Sequence, residues 1–248
     1  QLGNGNTTNS STPVAVHHTH PSLSGKTITD VAATYNNVCA LADGQVYCWG
    51  DNSAGQLGNG GTADSSTPVA VSISGTVTDI SAGLNHVCAL VDGNAYCWGD
   101  NSAGQLGNGN TTNSNTPVAV NTSGVLSGVS ISKLSAGYFT TCATDGQAYC
   151  WGYNADGQLG NGSTGNTSSV PVAISNGQIP SNSGIVGISP GYLHTCAISG
   201  DSTYCWGDNS AGQLGDGVTL GSITPVRTND TNITPSSSPV VMFGGLTS

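Results

Sequence analysis

The strongest constraint on this chain is that it repeats itself. The run Cys88-Ala-Leu-Val-Asp-Gly-Asn-Ala-Tyr-Cys-Trp-Gly-Asp-Asn-Ser-Ala-Gly-Gln-Leu-Gly returns with few changes from Cys39, Cys142 and Cys196. Gln-Leu-Gly recurs at Gln1, Gln56, Gln105, Gln158 and Gln213, with periods of 55, 49, 53 and 55 residues. A unit of about fifty residues suits a four-stranded blade, which must stack against copies of itself to bury its faces.

Composition points to strands. All thirteen acidic residues are Asp, and Lys26, Lys133 and Arg227 are the whole basic complement, so the Glu, Lys and Arg that populate exposed helices are nearly missing. Gly, Ser, Thr and Asn fill the gaps between short β-branched and aromatic runs, the pattern of many strands joined by turns. The formal net charge of −10 would repel a phosphate backbone, which argues against nucleic acid as a partner. No run of about 18 apolar residues is present to span a membrane, and no charged-then-apolar leader is visible, so a soluble chain is expected.

The eight cysteines fall in four pairs, Cys39/Cys48, Cys88/Cys97, Cys142/Cys150 and Cys196/Cys205, each bracketing a Gly-containing turn. With Asp43-Gly44 as a type I′ turn, Ala42 faces Gln45, Leu41 faces Val46, Ala40 faces Tyr47 and Cys39 faces Cys48. That last pair is non-hydrogen-bonded, with Cα atoms about 4.5 Å apart, a spacing compatible with a disulfide. Asp92-Gly93 and Gly200-Asp201 give the same register, and a three-residue loop at Asp145-Gly146-Gln147 sets Cys142 opposite Cys150. Disulfides are therefore expected in all four hairpins. Buried free thiols and structural zinc are the competing readings; the zinc reading lacks Cys-x-x-Cys spacing. Disulfides in turn imply an oxidising location, outside the cell, on its surface or in a periplasm-like space.

Around each hairpin the order of words is constant. A polar loop follows Gln-Leu-Gly, then a short Pro-Val strand at Pro13, Pro68, Pro117, Pro171 and Pro225, a variable loop, and an alternating segment such as Val77-Thr-Asp-Ile-Ser-Ala-Gly. Proline at the start of a strand suits an outer edge, where its missing N–H is not needed. Within the hairpin, Cys39, Leu41, Val46 and Cys48 share one face and Val38, Ala40, Tyr47 and Trp49 the other. A sheet apolar on both sides must be covered on both sides, which favours a β-propeller over a solenoid. Trp49, Trp98, Trp151 and Trp206, with Leu57, Leu106, Leu159 and Leu214, are expected to form the repeating core.

Ser-Ala-Gly-Leu-Asn-His86, Cys88-Ala-Leu, Asp92-Gly93, Tyr96-Cys-Trp98-Gly-Asp-Asn101 and Gly104-Gln-Leu-Gly107 together resemble the regulator of chromosome condensation repeat. The resemblance covers essentially the whole chain and implies a β-propeller, seven-bladed in the best-known members. Asn37 and Thr140 depart from the histidine position filled by His86 and His194, Thr34 departs from the glycine of Gly83, Gly137 and Gly191, and the cysteines are additional. The expected fold is all-β: four-stranded antiparallel blades of about 50 residues in an open or incomplete propeller. One repeat domain over 1–248 is expected, with five Gln-Leu-Gly halves, four cysteine hairpins and boundaries inside a repeat. The Phe243–Ser248 run resembles the approach to a fifth hairpin.

Candidate chemistry yields to structural readings. Gly50-Asp-Asn-Ser-Ala-Gly55 fails Gly-x-Ser-x-Gly and is copied from Gly99 and Gly207, whereas catalysis needs one asymmetric constellation. No enzyme and no cofactor are expected. Asp51, Asp100 and Asp208 could offer oxygen to calcium, but Tyr153 interrupts the series and turn formation explains them better. His17, His18 and His20 are read as an exposed loop rather than a metal site. Sequons at Asn6, Asn9, Asn110, Asn121, Asn161, Asn166, Asn229 and Asn232 permit glycosylation where the machinery exists.

Function is expected to be structural: an extracellular or cell-surface repeat protein assembling with copies of itself or neighbouring repeats. The alternative is a secreted module that recognises protein or glycan through its variable loops. Asn110–Ser130 and Gly162–Gly184 would form one recognition face, with Tyr138 and Phe139 as aromatic anchors. A third class, an intracellular exchange factor, would require free thiols.

Overall fold

A computed structural model describes residues 1–16, 23–165 and 167–229. His17, His18, His20, Asn166, Asn232 and the Phe243–Ser248 run lie outside the described residues. Among the described residues, sixteen strands form four antiparallel sheets, each a meander in chain order. The first blade is β1 (Ile28–Ala33), β2 (Asn37–Ala42), β3 (Gln45–Gly50) and β4 (Ser65–Ala70). The second is β5 (Val77–Ala82), β6 (His86–Val91), β7 (Asn94–Gly99) and β8 (Ser114–Ala119). The third is β9 (Lys133–Ala136), β10 (Thr140–Thr144), β11 (Ala148–Gly152) and β12 (Ser168–Ala173). The fourth is β13 (Ile185–Pro190), β14 (His194–Ser199), β15 (Ser202–Gly207) and β16 (Ser222–Arg227).

Turn chemistry sets the hairpins. Asp43 and Asp92 adopt φ of 49°, followed by Gly44 and Gly93 at 74° and 79°, the left-handed pair a type I′ turn demands. Cys39 then pairs with Cys48, Cys88 with Cys97 and Cys196 with Cys205, while the three-residue loop after Thr144 pairs Cys142 with Cys150. Each pair is a disulfide with Cα atoms 4.1 Å apart. No cysteine is free among the described residues.

First strands of successive blades meet, β1 with β5, β5 with β9 and β9 with β13, and no comparable contact joins β13 to β1. The row is therefore an open propeller. Blade interfaces hold the core: Leu41, Val46 and Leu57 of the first repeat pack with Ile80, Val87 and Trp98 of the second. Leu90, Ala95 and Leu106 meet Leu134, Tyr149 and Trp151 in the same way at the next interface. Burying one such leucine fully contributes about 1.5–3 kcal/mol.

Two expectations about the outer strand are corrected. Pro68, Pro117, Pro171 and Pro225 stand fourth in their strands, inside the register shift that falls at Trp49, Trp98, Trp151 and Trp206, rather than at the start. The irregularity spares the ladder a donor that proline lacks. Pro13 belongs to no strand: no strand is formed over residues 11–16.

Candidate functional site

A single contact, made four times, joins each repeat to the next. The indole N–H groups of Trp49, Trp98, Trp151 and Trp206 donate to the carbonyls of Gln1, Gln56, Gln105 and Gln158 at 2.8, 3.0, 2.9 and 2.9 Å. Each tryptophan thus reaches back to the Gln-Leu-Gly loop of the preceding repeat. The glycine of that loop lies flat on the indole. At Gly107, with φ of +68°, a Cβ would stand 2.6 Å from Trp151 Nε1, so both backbone conformation and space require glycine. Leu57, Leu106, Leu159 and Leu214 are fully buried beside these loops, whereas Leu2 is 37% exposed.

An asparagine builds the loop. Buried Asn52 accepts from Leu57 N–H at 2.9 Å and donates to the carbonyls of Gly61 and Ala63 at 3.2 and 3.0 Å. Asn101 and Asn209 repeat both halves of this pattern, and Asn154 accepts from Leu159 and donates to Ser163. Asp51 accepts from Ser53 N–H at 3.0 Å and from Gln56 Nε2 at 3.0 Å, and Asp100 and Asp208 do the same in their repeats. The Ser210 N–H, first among several donors, holds the Asp208 carboxyl below its ordinary range. Ser53 Oγ donates to Asp51, so the apparent hydrolase serine closes a turn.

The third repeat breaks this pattern. Tyr153 stands where the aspartate should be, and Gln158 Nε2 is buried with no acceptor among the described residues. Sequence reading noted the substitution but not its cost, because the glutamine partner becomes visible only with the loop folded.

Histidine positions are also interfacial. His86 is fully buried, with Nε2 2.9 Å from Thr141 Oγ1 of the next blade, and Thr141 donates its own proton to Gln105 O at 2.8 Å. With that hydroxyl proton committed, His86 Nε2 is the donor, and Nδ1 has no partner among the described residues. Burial depresses the His86 pKa to about 4. A Cβ on Gly83 would meet the Gly137 carbonyl oxygen of the next blade at 2.1 Å and the His86 ring at 2.2 Å, so the position has no room for a side chain. Where Asn37 replaces histidine, Thr34 replaces glycine, and the two side chains hydrogen-bond closely. On the inner strands, burial raises the Asp79 pKa although its Oδ2 accepts from Leu134 N–H at 3.0 Å.

Turns between first and second strands line one end of the blades. Leu84 N–H donates to Tyr138 O and Tyr138 N–H to Gly191 O, so three turns form a continuous row. Four rings meet there: Tyr138 lies edge-on to Phe139 and Tyr192 with centroids 4.6 and 4.4 Å apart, and Phe139 is 6.2 Å from Tyr153. Tyr192 is 55% exposed. The expected single face formed by Asn110–Ser130 and Gly162–Gly184 is corrected, because β8 and β12 run through the two segments and send their halves to opposite blade ends. Among the described residues no group of three or more His, Cys, Asp or Glu stands close enough to hold a metal, and no helix is long and apolar enough to cross a membrane.

The chain matches the regulator of chromosome condensation (RCC1) repeat over residues 43–90, 92–144 and 145–198, more than half its length. A second description of the same repeat matches 28–56, 77–105 and 131–158. The chain is 33% identical over 224 residues to the ultraviolet-B receptor UVR8 of Arabidopsis thaliana, covering 89% of this chain and 49% of the receptor. It is 32% identical over 225 residues to the human E3 ubiquitin-protein ligase HERC2, covering 88% of this chain and 4% of the ligase. The chain therefore spans about half or less of these relatives. Among solved structures, yeast RCC1 (Prp20) bound to Kap60 superposes with a TM-score of 0.72 at 22% identity, over 85% of this chain and 50% of that one. Human WBSCR16 gives 0.71 at 22% identity, over 82% and 52%. At such identities these structures report the fold.

Proposed function

Because this chain belongs to the regulator of chromosome condensation (RCC1) repeat family, whose fold presents surfaces without dictating one activity, we propose that it is a non-enzymatic structural repeat protein. In this reading it works outside the cell or on its surface, as one repeat domain, and assembles by repeat-to-repeat contacts into a filament, stalk or coat. The observation that carries the reading is the tryptophan-to-glutamine clamp, made by the same atoms at every junction. All four tryptophans are engaged within the chain, so copies would meet through the faces that the end blades leave uncovered, and such a heterologous contact propagates. Ile28 and Val31 on β1 are 50% and 65% exposed, while their equivalents Val77 and Ile80 are buried at 3% and 6%, so the first blade offers the face that its neighbour covers. Four disulfides support an oxidising location.

Electron microscopy of undisrupted native material, with light scattering of the purified chain, tests this. Filaments or sheets with a repeat matching one chain are expected. Isolated monodisperse particles at high protein concentration would overturn it. The second reading, a secreted module that binds protein or glycan, is favoured by the four-ring cluster on one blade end.

A further inference from the structure

We propose that the ring cluster Tyr138, Phe139, Tyr153 and Tyr192 is a docking surface for an extended, arginine- or lysine-bearing peptide segment of a partner protein. The proposal rests on the binding-module reading and gives it a surface and a partner class. Three observations carry it. First, two of the four rings occur where the repeat departs from its own rule. Phe139 stands where the first two repeats have Asn36 and Asn85, and Tyr153 stands where the other three have Asp51, Asp100 and Asp208. The second change strands Gln158 Nε2, a buried donor, without an acceptor. Buried donors are almost always satisfied, and sequences violate such local rules at functional sites.

Second, the rings are held for contact. Tyr153 N–H is bonded to Phe139 O and Tyr138 N–H to Gly191 O, which ties together the backbone segments that carry the rings, while Tyr192 projects 55% exposed. Third, the surroundings choose the sign of the partner. The equivalent positions in the flanking blades are Asp100, bonded to Asn85 O, and Asp208, bonded to Leu193 O. An aromatic patch whose neighbouring repeats carry aspartate at the same position, on a chain of net charge −10, attracts cations over its ring faces. A second copy of this chain is a poor occupant, since it carries three basic residues in 248.

The test uses the oxidised full chain and three labelled probes at about 0.15 M salt, where distant exposed charges are screened. The probes are hexa-arginine, hexa-glutamate and uncharged cellohexaose, read by fluorescence anisotropy. The variant is Phe139→Asn with Tyr192→Ser, which leaves the net charge unchanged, so general attraction to an acidic chain is not altered. Hexa-arginine should bind the parent, hexa-glutamate should not, and the double variant should weaken hexa-arginine by about five- to twentyfold, two exposed cation–π contacts' worth. Should the double variant lose its cooperative melt, Tyr192→Ser alone, at an exposed site, should weaken binding by about two- to fivefold.

Equal binding of hexa-arginine by parent and variant would overturn this surface and leave the binding-module reading standing. Absence of binding by every probe would count against both. Binding of cellohexaose, lost in the variant, would overturn the cationic partner and assign the rings to a glycan. Light scattering on the same samples reports assembly separately.

Discussion

At the scale of the residue, the repeats act as controls for one another. Tyr153→Asp restores the residue that the other repeats use and supplies an acceptor to Gln158 Nε2. It should stabilise the chain by about 1–3 kcal/mol, which raises Tm by several degrees in a calorimetric scan. An unchanged or lower Tm would mean that the ring contacts of Tyr153 compensate fully for the stranded amide. His86 gives a pH dependence of defined sign. Its folded pKa is lowered to about 4 by burial, against about 6.5 when unfolded. Its contribution is therefore complete above about pH 6.5 and declines as pH falls toward 4. Urea midpoints between pH 7 and 4.5 should drop less for His86→Gln than for the parent. The cysteine pairs, the tryptophans and the turn aspartates were legible in the sequence because strand period and turn type are local rules. The fate of Gln158 and of His86 Nδ1 was not, because their partners lie across a folded loop and on the next blade.

At the scale of the element, each hairpin is closed by its own disulfide. A disulfide closing a loop of about ten residues contributes roughly 2–3 kcal/mol in the chain-entropy model. Replacing Cys88 and Cys97 together by Ala, in a hairpin where both are fully buried, should lower Tm by roughly 5–10 °C without altering the far-ultraviolet spectrum. The first three strands of each blade could be read directly from alternation and Asp-Gly or Gly-Asp turns. The fourth was harder: its proline sits mid-strand in a register shift, and residues 11–16, with the same Pro-Val word, form no strand because no third strand lies beside them among the described residues. Strand identity there depends on a neighbour, which local sequence does not supply.

For the whole molecule, the repeat period announced a propeller, and its open form followed from counting hairpins. What counting missed is that turns and rings from two adjacent blades are brought side by side, with Tyr138 edge-on to Tyr192. Series construction also predicts how the chain fails. Gly107→Ala places a methyl group against Trp151 at a left-handed position and should break the contact between the second and third blades. Unfolding would then resolve into two transitions, monitored by tryptophan fluorescence, since neighbouring repeats stabilise one another only through their shared interface.

The cross-strand disulfides have a mechanical consequence. Tension applied along the chain enters a hairpin at one cysteine and leaves at its partner eight or nine residues later, bypassing the turn altogether. Stretched, the molecule would pay out the segments between hairpins while each hairpin stayed a closed knot on the string. The oxidised chain is thus shorter at full extension than its residue count implies, and adding a reductant under load would release that hidden length in four separate steps.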